Sequence, residues 1–167
     1  MPQVAHQFGR NCLEIRHAIG AKADMTAMKQ AYEACGQEVV IEPYIYDMVA
    51  AYQWADCVIT RAGALALSEL MVMGKAAIAI PFAQSTDQHQ VCNAQYYATQ
   101  QALWILNENQ CQSPTAMVAL ITLLREDPAI KHRLEEAAWQ QGKVDATTQI
   151  VDNICGKNKY SRKLCNQ

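Results

Sequence analysis

Residues 56–74 read DCVITRAGALALSELMVMG. The run 57–60 is short, apolar and rich in β-branched side chains, as a buried strand should be. Arg61, Ala62 and Gly63 interrupt it, and small and aliphatic residues then continue at helical spacing to Gly74. Strand, tight turn and helix in that order form the opening half of a βαβ unit.

The same alternation extends in both directions. Downstream, AAIAI (76–80) predicts a strand stopped by Pro81, residues 87–101 a helix, and LWIL (103–106) a strand. Asp87, or Ser85 and Thr86 before it, supplies a cap for the 87–101 helix. Pro114 stands at a first helical position and opens a helix over 115–127. Pro128 starts another through Leu134 and Trp139, and a last helix from near Asp145 carries Ile150, Val151 and Ile154. Upstream, residues 3–8 predict a short helix and residues 12–20 a strand and turn. Residues 25–36 predict a helix with Met25, Met28, Tyr32 and Cys35 on one stripe and Gly36 as a left-handed cap. Residues 39–45 predict a strand and loop, and Asp47 caps a helix through Met48, Ala51 and Tyr52. Alternating elements with continuously apolar strands define an α/β fold: a Rossmann-like parallel sheet with helices on both faces.

Composition narrows the function. The chain has 167 residues, 51% hydrophobic and 18% charged, enough for one domain with a real core. A net charge of −2 gives no basic face, so no nucleic-acid partner is expected. No run reaches the roughly 18 apolar residues of a membrane span, and MPQVAHQFGRN lacks a basic-then-apolar leader pattern. The seven cysteines (Cys12, Cys35, Cys57, Cys92, Cys111, Cys155 and Cys165) are odd in number and form no C-x-x-C pair. They are expected to be reduced thiols, mostly small core residues, in a cytoplasmic protein, rather than a zinc site. Residues 156–167 are expected to form a basic, flexible, solvated tail.

In parallel α/β sheets, ligands bind beyond the carboxyl ends of the strands. Three strand ends here carry polar punctuation: EPYIYD (42–47), TRAG (60–63) and PFAQSTDQHQ (81–90). After TRAG, Gly63 permits a tight turn and a close backbone approach. Ala64 and Leu65 then begin a helix whose first amides lack intrahelical partners and, with the helix dipole, favour an anion such as a phosphate. Ala62, Ala64 and Ala66 leave room. Glu69 lies roughly 7.5 Å along the axis from Ala64 and shares a face with Leu65. A carboxylate there suits a pair of neighbouring hydroxyls, as on a ribose, better than the phosphate. The competing reading is an ordinary strand–helix turn with a solvated Glu69.

In the 81–90 loop and the helix after it, His89, Gln90 and Asn93 offer donors and acceptors suited to a sugar, with His89 and Asn93 four apart on one face. The alternative is a solvated first turn. In EPYIYD, Tyr44 and Ile45 either flank a flat base, with the Ile45 backbone reading its edge, or plug the end of the sheet. The chain holds no Asp-x-Asp pair with which to hold a diphosphate through a metal. A helix N-terminus has to carry that charge, and neither metal nor cofactor is expected.

The three loops occur in a recognisable order. Residues 42–94 closely resemble the C-terminal, donor-binding domain of the lipid II-forming peptidoglycan glycosyltransferases, the undecaprenyl-diphospho-muramoylpentapeptide β-N-acetylglucosaminyltransferase family. The resemblance is specific over residues 40–94 and extends over residues 1–155, which it marks as a UDP-sugar donor-binding domain and one half of a GT-B enzyme. It implies inverting, metal-independent transfer of N-acetylglucosamine from UDP-N-acetylglucosamine to lipid I, on the cytoplasmic face of the inner membrane. By resemblance, Ile45 contacts the uracil. The segment Ala64, Leu65, Ala66, Leu67, Ser68 and Glu69 receives the diphosphate at its start and the ribose hydroxyls at Glu69. His89 and Gln90 hold the N-acetylglucosamine with Asn93 in support, and Arg61 lies at the strand end near the phosphates, beside Gly63.

The sequence also departs from the family. The family's N-terminal domain, which binds lipid I, supplies the general base and docks on the membrane, has no counterpart in this sequence. The donor domain's first strand and the glycine- and serine-rich loop after it are likewise unmatched, and MPQVAHQF resembles the back half of the following helix. Ala76 stands where the family commonly has proline. In the strand order 3-2-1-4-5-6, strand 1 is central, so its loss is expected to leave two inner edges with unpaired backbone groups. A fragment inactive by itself is therefore expected, with lipid I reached through an acceptor domain. The alternatives are a donor half completed by an acceptor-domain partner chain, as in split glycosyltransferases, and a non-enzymatic nucleotide-binding module.

Overall fold

The computed structural model describes residues 1–9, 12–83 and 88–154. The expected caps at Ser85, Thr86 and Asp87, the cysteines Cys155 and Cys165, and the tail 156–167 lie outside the described residues. In chain order the elements are α1 (Pro2–His6), β1 (Ile15–Ala18), α2 (Met25–Ala34), β2 (Val39–Glu42), α3 (Met48–Trp54), β3 (Val58–Thr60), α4 (Ala64–Val72), β4 (Ala77–Ala79) and α5 (His89–Thr99). Then come β5 (Trp104–Ile105), a 3-10 turn (Gln110–Gln112), α6 (Pro114–Glu126), α7 (Pro128–Gln141) and α8 (Ala146–Ile154).

Local chemistry sets most of these boundaries. Asp24 accepts from the Ala27 amide at 3.0 Å and Asp47 from the Ala50 amide at 2.9 Å, capping α2 and α3. Asp127 accepts from Ala129 and Ile130 at the start of α7, and prolines occupy the first positions of α6 and α7. Gly36 and Gly74 take left-handed conformations, φ +69° and +59°, just past α2 and α4.

All the strands pair in parallel, but in two ladders. β1 pairs with β2 (Ile15 opposite Val39, Ala18 opposite Glu42). β4 lies between β3 and β5, with Ile78 opposite both Ile59 and Trp104. No ladder joins β1 to β3 among the described residues, the break expected where strand 1 of the 3-2-1-4-5-6 order is unmatched. Arg16 and Glu42 add a 2.5 Å ion pair to the smaller ladder. Tyr32, wholly buried on α2, lies with its hydroxyl 3.1 Å from His17 Nδ1 and holds that helix to β1. Burial pushes the Tyr32 phenol up to about 12.

The three-stranded ladder is covered on both faces, as the period-2 alternation of side chains requires. Val58, Ala77, Ala79 and Ile105 face a core built with Tyr52, Leu67, Leu70, Met71 and Ala94 from α3, α4 and α5. Ile59, Ile78, Ile80 and Trp104 face the other core, with Val4 of α1, Met117 and Leu124 of α6 and Leu134 of α7. Burying Leu67, Leu70 and Met71 stabilises the chain by about 1.5–3 kcal/mol each.

Two expectations need correction. Of the five described cysteines Cys57 alone packs against a core, beside Ile59 and Ile80; Cys12, Cys92 and Cys111 are exposed and Cys35 is half-buried. The short strands leave their core positions to Ala, Ile and Val. On the α2 stripe Tyr32 is buried, whereas Met25 is 42% exposed, because α2 covers a ladder only two strands wide.

Candidate functional site

Because β3, β4 and β5 are parallel, the turns after them emerge at one edge of their ladder, and the turn after β2 leads into α3, which packs against α4 through Tyr52. At the β3–α4 turn, Gly63 is the N-cap, and no side chain caps the helix. Leu67 N–H donates to Gly63 O at 3.0 Å and begins the intrahelical series, which leaves Ala64, Leu65 and Ala66 as the uncapped first amides. Gly63 is extended (φ −66°, ψ 138°), so its backbone does not require glycine. A Cβ there would meet nothing within 4 Å, and glycine instead keeps the approach to the helix end open.

Ala64, Leu65 and Ser68 are exposed, Leu65 by 75%, while Ala66 is half-buried. Leu67 turns wholly into the core. Glu69 is half-buried and is held from below: Tyr52 Oη donates to its Oε2 at 3.0 Å. Burial, and then the facing carboxylate, raise the Tyr52 phenol pKa well above its ordinary value, so the phenol remains a donor.

Arg61 projects across the end of β4. Its Nη1 donates to Glu108 Oε1 at 2.7 Å and to Ile80 O at 3.4 Å, and the guanidinium lies 5.6 Å from the Phe82 ring centroid. Glu108 Oε2 accepts from the Ala83 amide at 3.3 Å. Arg61, and next that amide, hold the Glu108 carboxyl below its ordinary range. An open cavity of about 340 Å³ lies here, lined by Arg61, Ile80, Glu108, Cys111 and Gln112.

The second loop is tied to the first. Asn93 Nδ2 donates to Ala62 O at 3.2 Å, and Gln90 Oε1 accepts from the Phe82 amide at 3.0 Å. His89, the first residue of α5, is exposed, and Gln88 before it takes a left-handed φ of 55°. In the third loop the Ile45 side chain turns inward at 9% exposure, while Tyr44 and Tyr46 remain exposed, their rings edge-on at 5.1 Å. No three His, Cys, Asp or Glu side chains converge as metal ligands among the described residues.

The structure thus joins Asn93 to the turn before Gly63–Glu69 through Ala62, holds Gln90 against Phe82 within its own loop, and directs Arg61 toward Glu108. Sequence reasoning missed Tyr52 and Glu108 as site residues. Tyr52 reads as one more apolar position of α3, and Glu108 belongs to no motif.

A parallel α/β sheet covered on both faces, with its polar turns gathered at one edge, is the architecture of a Rossmann-like half of a GT-B glycosyltransferase. The chain belongs to glycosyltransferase family 28, matching the model of its C-terminal domain over residues 1–160. It is 36% identical over 154 residues to the UDP-N-acetylglucosamine–N-acetylmuramyl-(pentapeptide) pyrophosphoryl-undecaprenol N-acetylglucosamine transferase of Xanthomonas axonopodis pv. citri, covering 92% of this chain and 36% of that protein. The protein of the same name from Nitratidesulfovibrio vulgaris is 36% identical over 143 residues, covering 85% of this chain and 39% of that protein. The crystal structure of Acinetobacter baumannii MurG superposes with a TM-score of 0.77 at 30% identity, over 86% of this chain and 43% of that one. The chain spans little more than a third of the length of the curated relatives it matches.

Proposed function

We propose that residues 1–155 are the donor-binding half of an N-acetylglucosaminyltransferase that uses UDP-N-acetylglucosamine and forms lipid II from lipid I. The observation that carries this reading is the uncapped first turn of α4 with Glu69 about one and a half turns further along it. The names of the relatives, which specify an N-acetylglucosamine transferase acting on a pyrophosphoryl-undecaprenol acceptor, support the choice of substrates.

In this reading the amides of Ala64, Leu65 and Ala66 receive the diphosphate, and Glu69 accepts from the ribose hydroxyls. Ile45 meets the uracil, His89 and Gln90 meet the N-acetylglucosamine, and Asn93 holds α5 against the diphosphate turn. As the glycosidic bond breaks, negative charge grows on the leaving UDP. Fixed amides and the helix dipole stabilise that charge without reorganising. Arg61 contributes positive potential from the edge of the site, tempered by Glu108. No general base is assigned within this chain, so lipid I and the base that activates its hydroxyl belong to an acceptor domain, in the same polypeptide or on a partner chain. No helix among the described residues is long and apolar enough to cross a membrane. Access to lipid I at the cytoplasmic face of the inner membrane is assigned to the acceptor domain as well.

Titration of the chain with UDP, UDP-N-acetylglucosamine and a GDP-sugar tests the reading. Binding of both uridine nucleotides in preference to the GDP-sugar is expected. Equal affinity for all three, or no binding of the uridine nucleotides at millimolar concentration, overturns it.

A further inference from the structure

We infer that Tyr52 is a positioning residue of the nucleotide site: its hydroxyl orients the Glu69 carboxylate and thereby sets how strongly the site prefers a ribonucleotide to a deoxyribonucleotide. The inference rests on the proposed role of Glu69 toward the ribose. Its geometry is independent of that role.

Tyr52 is 5% exposed and packs in the core with Leu67, Leu70 and Met71, so its ring has little freedom to move. Its Oη donates to one oxygen of Glu69, Oε2, at 3.0 Å, across 17 residues of sequence. A carboxylate offers about four lone-pair directions on two oxygens. The phenol occupies one, which fixes the rotation of the carboxylate and leaves Oε1 and the second lone pair of Oε2 for a vicinal diol. Without that donor, Glu69 is a half-buried glutamate on an exposed face of α4, free to swing among rotamers. Each hydroxyl it binds would then first have to offset the loss of that freedom.

The same contact joins two recognition loops. Tyr52 sits on α3, which starts at the Asp47 cap, two residues after Ile45. Glu69 sits on α4, five residues after its first uncapped amide. One hydrogen bond therefore ties the helix behind the base loop to the helix whose start faces the diphosphate, and the two ends of a bound nucleoside diphosphate are held in register. The raised phenol pKa supports the direction of donation, because the proton stays on Tyr52 throughout the physiological range.

The test compares UDP with 2′-deoxy-UDP by calorimetry or NMR titration, using the full chain and its Tyr52→Phe, Glu69→Ala and double variants. The unaltered chain is expected to favour UDP by roughly tenfold, the scale of one hydroxyl donating to a carboxylate. Tyr52→Phe is expected to shrink that ratio several-fold, with affinity for 2′-deoxy-UDP held within about twofold. In the Glu69→Ala background, Tyr52→Phe is expected to change the ratio no further. A buried phenol that only stabilises the fold would weaken both nucleotides alike, and that result overturns the inference. So does a ratio unchanged by Tyr52→Phe while Glu69→Ala abolishes it, an outcome that leaves the ribose role of Glu69 intact. If the unaltered chain binds UDP without discriminating, the ribose role fails and the inference with it. Should Tyr52→Phe not fold, the Tyr52 13Cζ resonance of the unaltered chain carries the test: it is expected to shift more with UDP than with 2′-deoxy-UDP, and equal shifts overturn the inference.

Discussion

Asn93 Nδ2 donates to the carbonyl oxygen of Ala62 at 3.2 Å, across 31 residues of sequence. Ala62 is wholly buried, so that carbonyl has no access to water as a substitute partner. The bond fixes the first turn of α5 against the turn that opens α4. Asn93→Ala is expected to cost about 1–3 kcal/mol, the cost of leaving a buried acceptor unpaired. Asn93→Asp is expected to cost at least as much, since it sets a carboxylate oxygen against a carbonyl oxygen. Urea denaturation at constant m-value measures both, and an unchanged midpoint would contradict the role.

Glu69→Ala separates binding from folding. The variant is expected to weaken UDP binding by about 1–3 kcal/mol through lost charge-assisted hydrogen bonds. Calorimetric titration with UDP reads the effect, with the melting temperature as the control for folding. Unchanged UDP affinity would remove Glu69 from the ribose site.

Two glycines are expected to respond in opposite ways. At Gly142 a Cβ would stand 2.8 Å from Met71 O and 3.0 Å from Val72 Cα, both backbone atoms that cannot move aside. Gly142→Ala is expected to destabilise the α4–α7 contact by about 1–3 kcal/mol. Gly63→Ala meets nothing within 4 Å and keeps an extended φ of −66°, so its stability should stay within about 1 kcal/mol of the unaltered chain. Its methyl group, however, narrows the approach to the Ala64–Ala66 amides and should weaken UDP binding. Thermal melts and UDP titration of both variants check the contrast. Equal loss of stability at the two sites would refute it.

Glu108 gives the stability profile an acid limb. Arg61 and the Ala83 amide hold its carboxyl below the ordinary range in the folded chain, so the unfolded chain takes up this proton first as the pH falls. The contribution is fully present above the unfolded carboxylate range and is lost as the pH drops through the depressed folded value. Because the pair is solvent-exposed, the effect on global stability is small. The sharper readout is local: protection of the Ala83 amide, taken relative to its intrinsic exchange rate at each pH, should fall in Glu108→Gln at neutral pH and in the unaltered chain as Glu108 protonates. Exchange at Ala83 that ignores both changes would dismiss Glu108 as a tether of the 81–83 segment.

Much of the architecture was legible before any coordinates. Asp47, Pro114 and Pro128 start helices where local chemistry says they should, and Gly36 and Gly74 end them in left-handed conformations. These signals act over a few residues, and apolar periodicity then separates strand from helix, so they can be read from a string. The uncapped turn at Gly63 and the carboxylate at Glu69 belong to the same class, since both lie at or on one short helix.

What could not be read was which distant groups meet. Tyr52 with Glu69, Asn93 with Ala62 and Arg61 with Glu108 are separated by 17, 31 and 47 residues; the first pair meets because α3 packs against α4, and the other two because parallel strands bring successive strand ends to one edge. The cysteines were placed in the core on residue type, yet the five described lie at exposed or half-buried positions, because burial belongs to the three-dimensional neighbourhood and not to the side chain. Local propensity and periodicity thus specified the elements and their order. Packing across the sheet decided which polar groups were left open at the strand ends and which were consumed in holding the loops together, since hydrogen bonds between remote segments have no trace in local sequence.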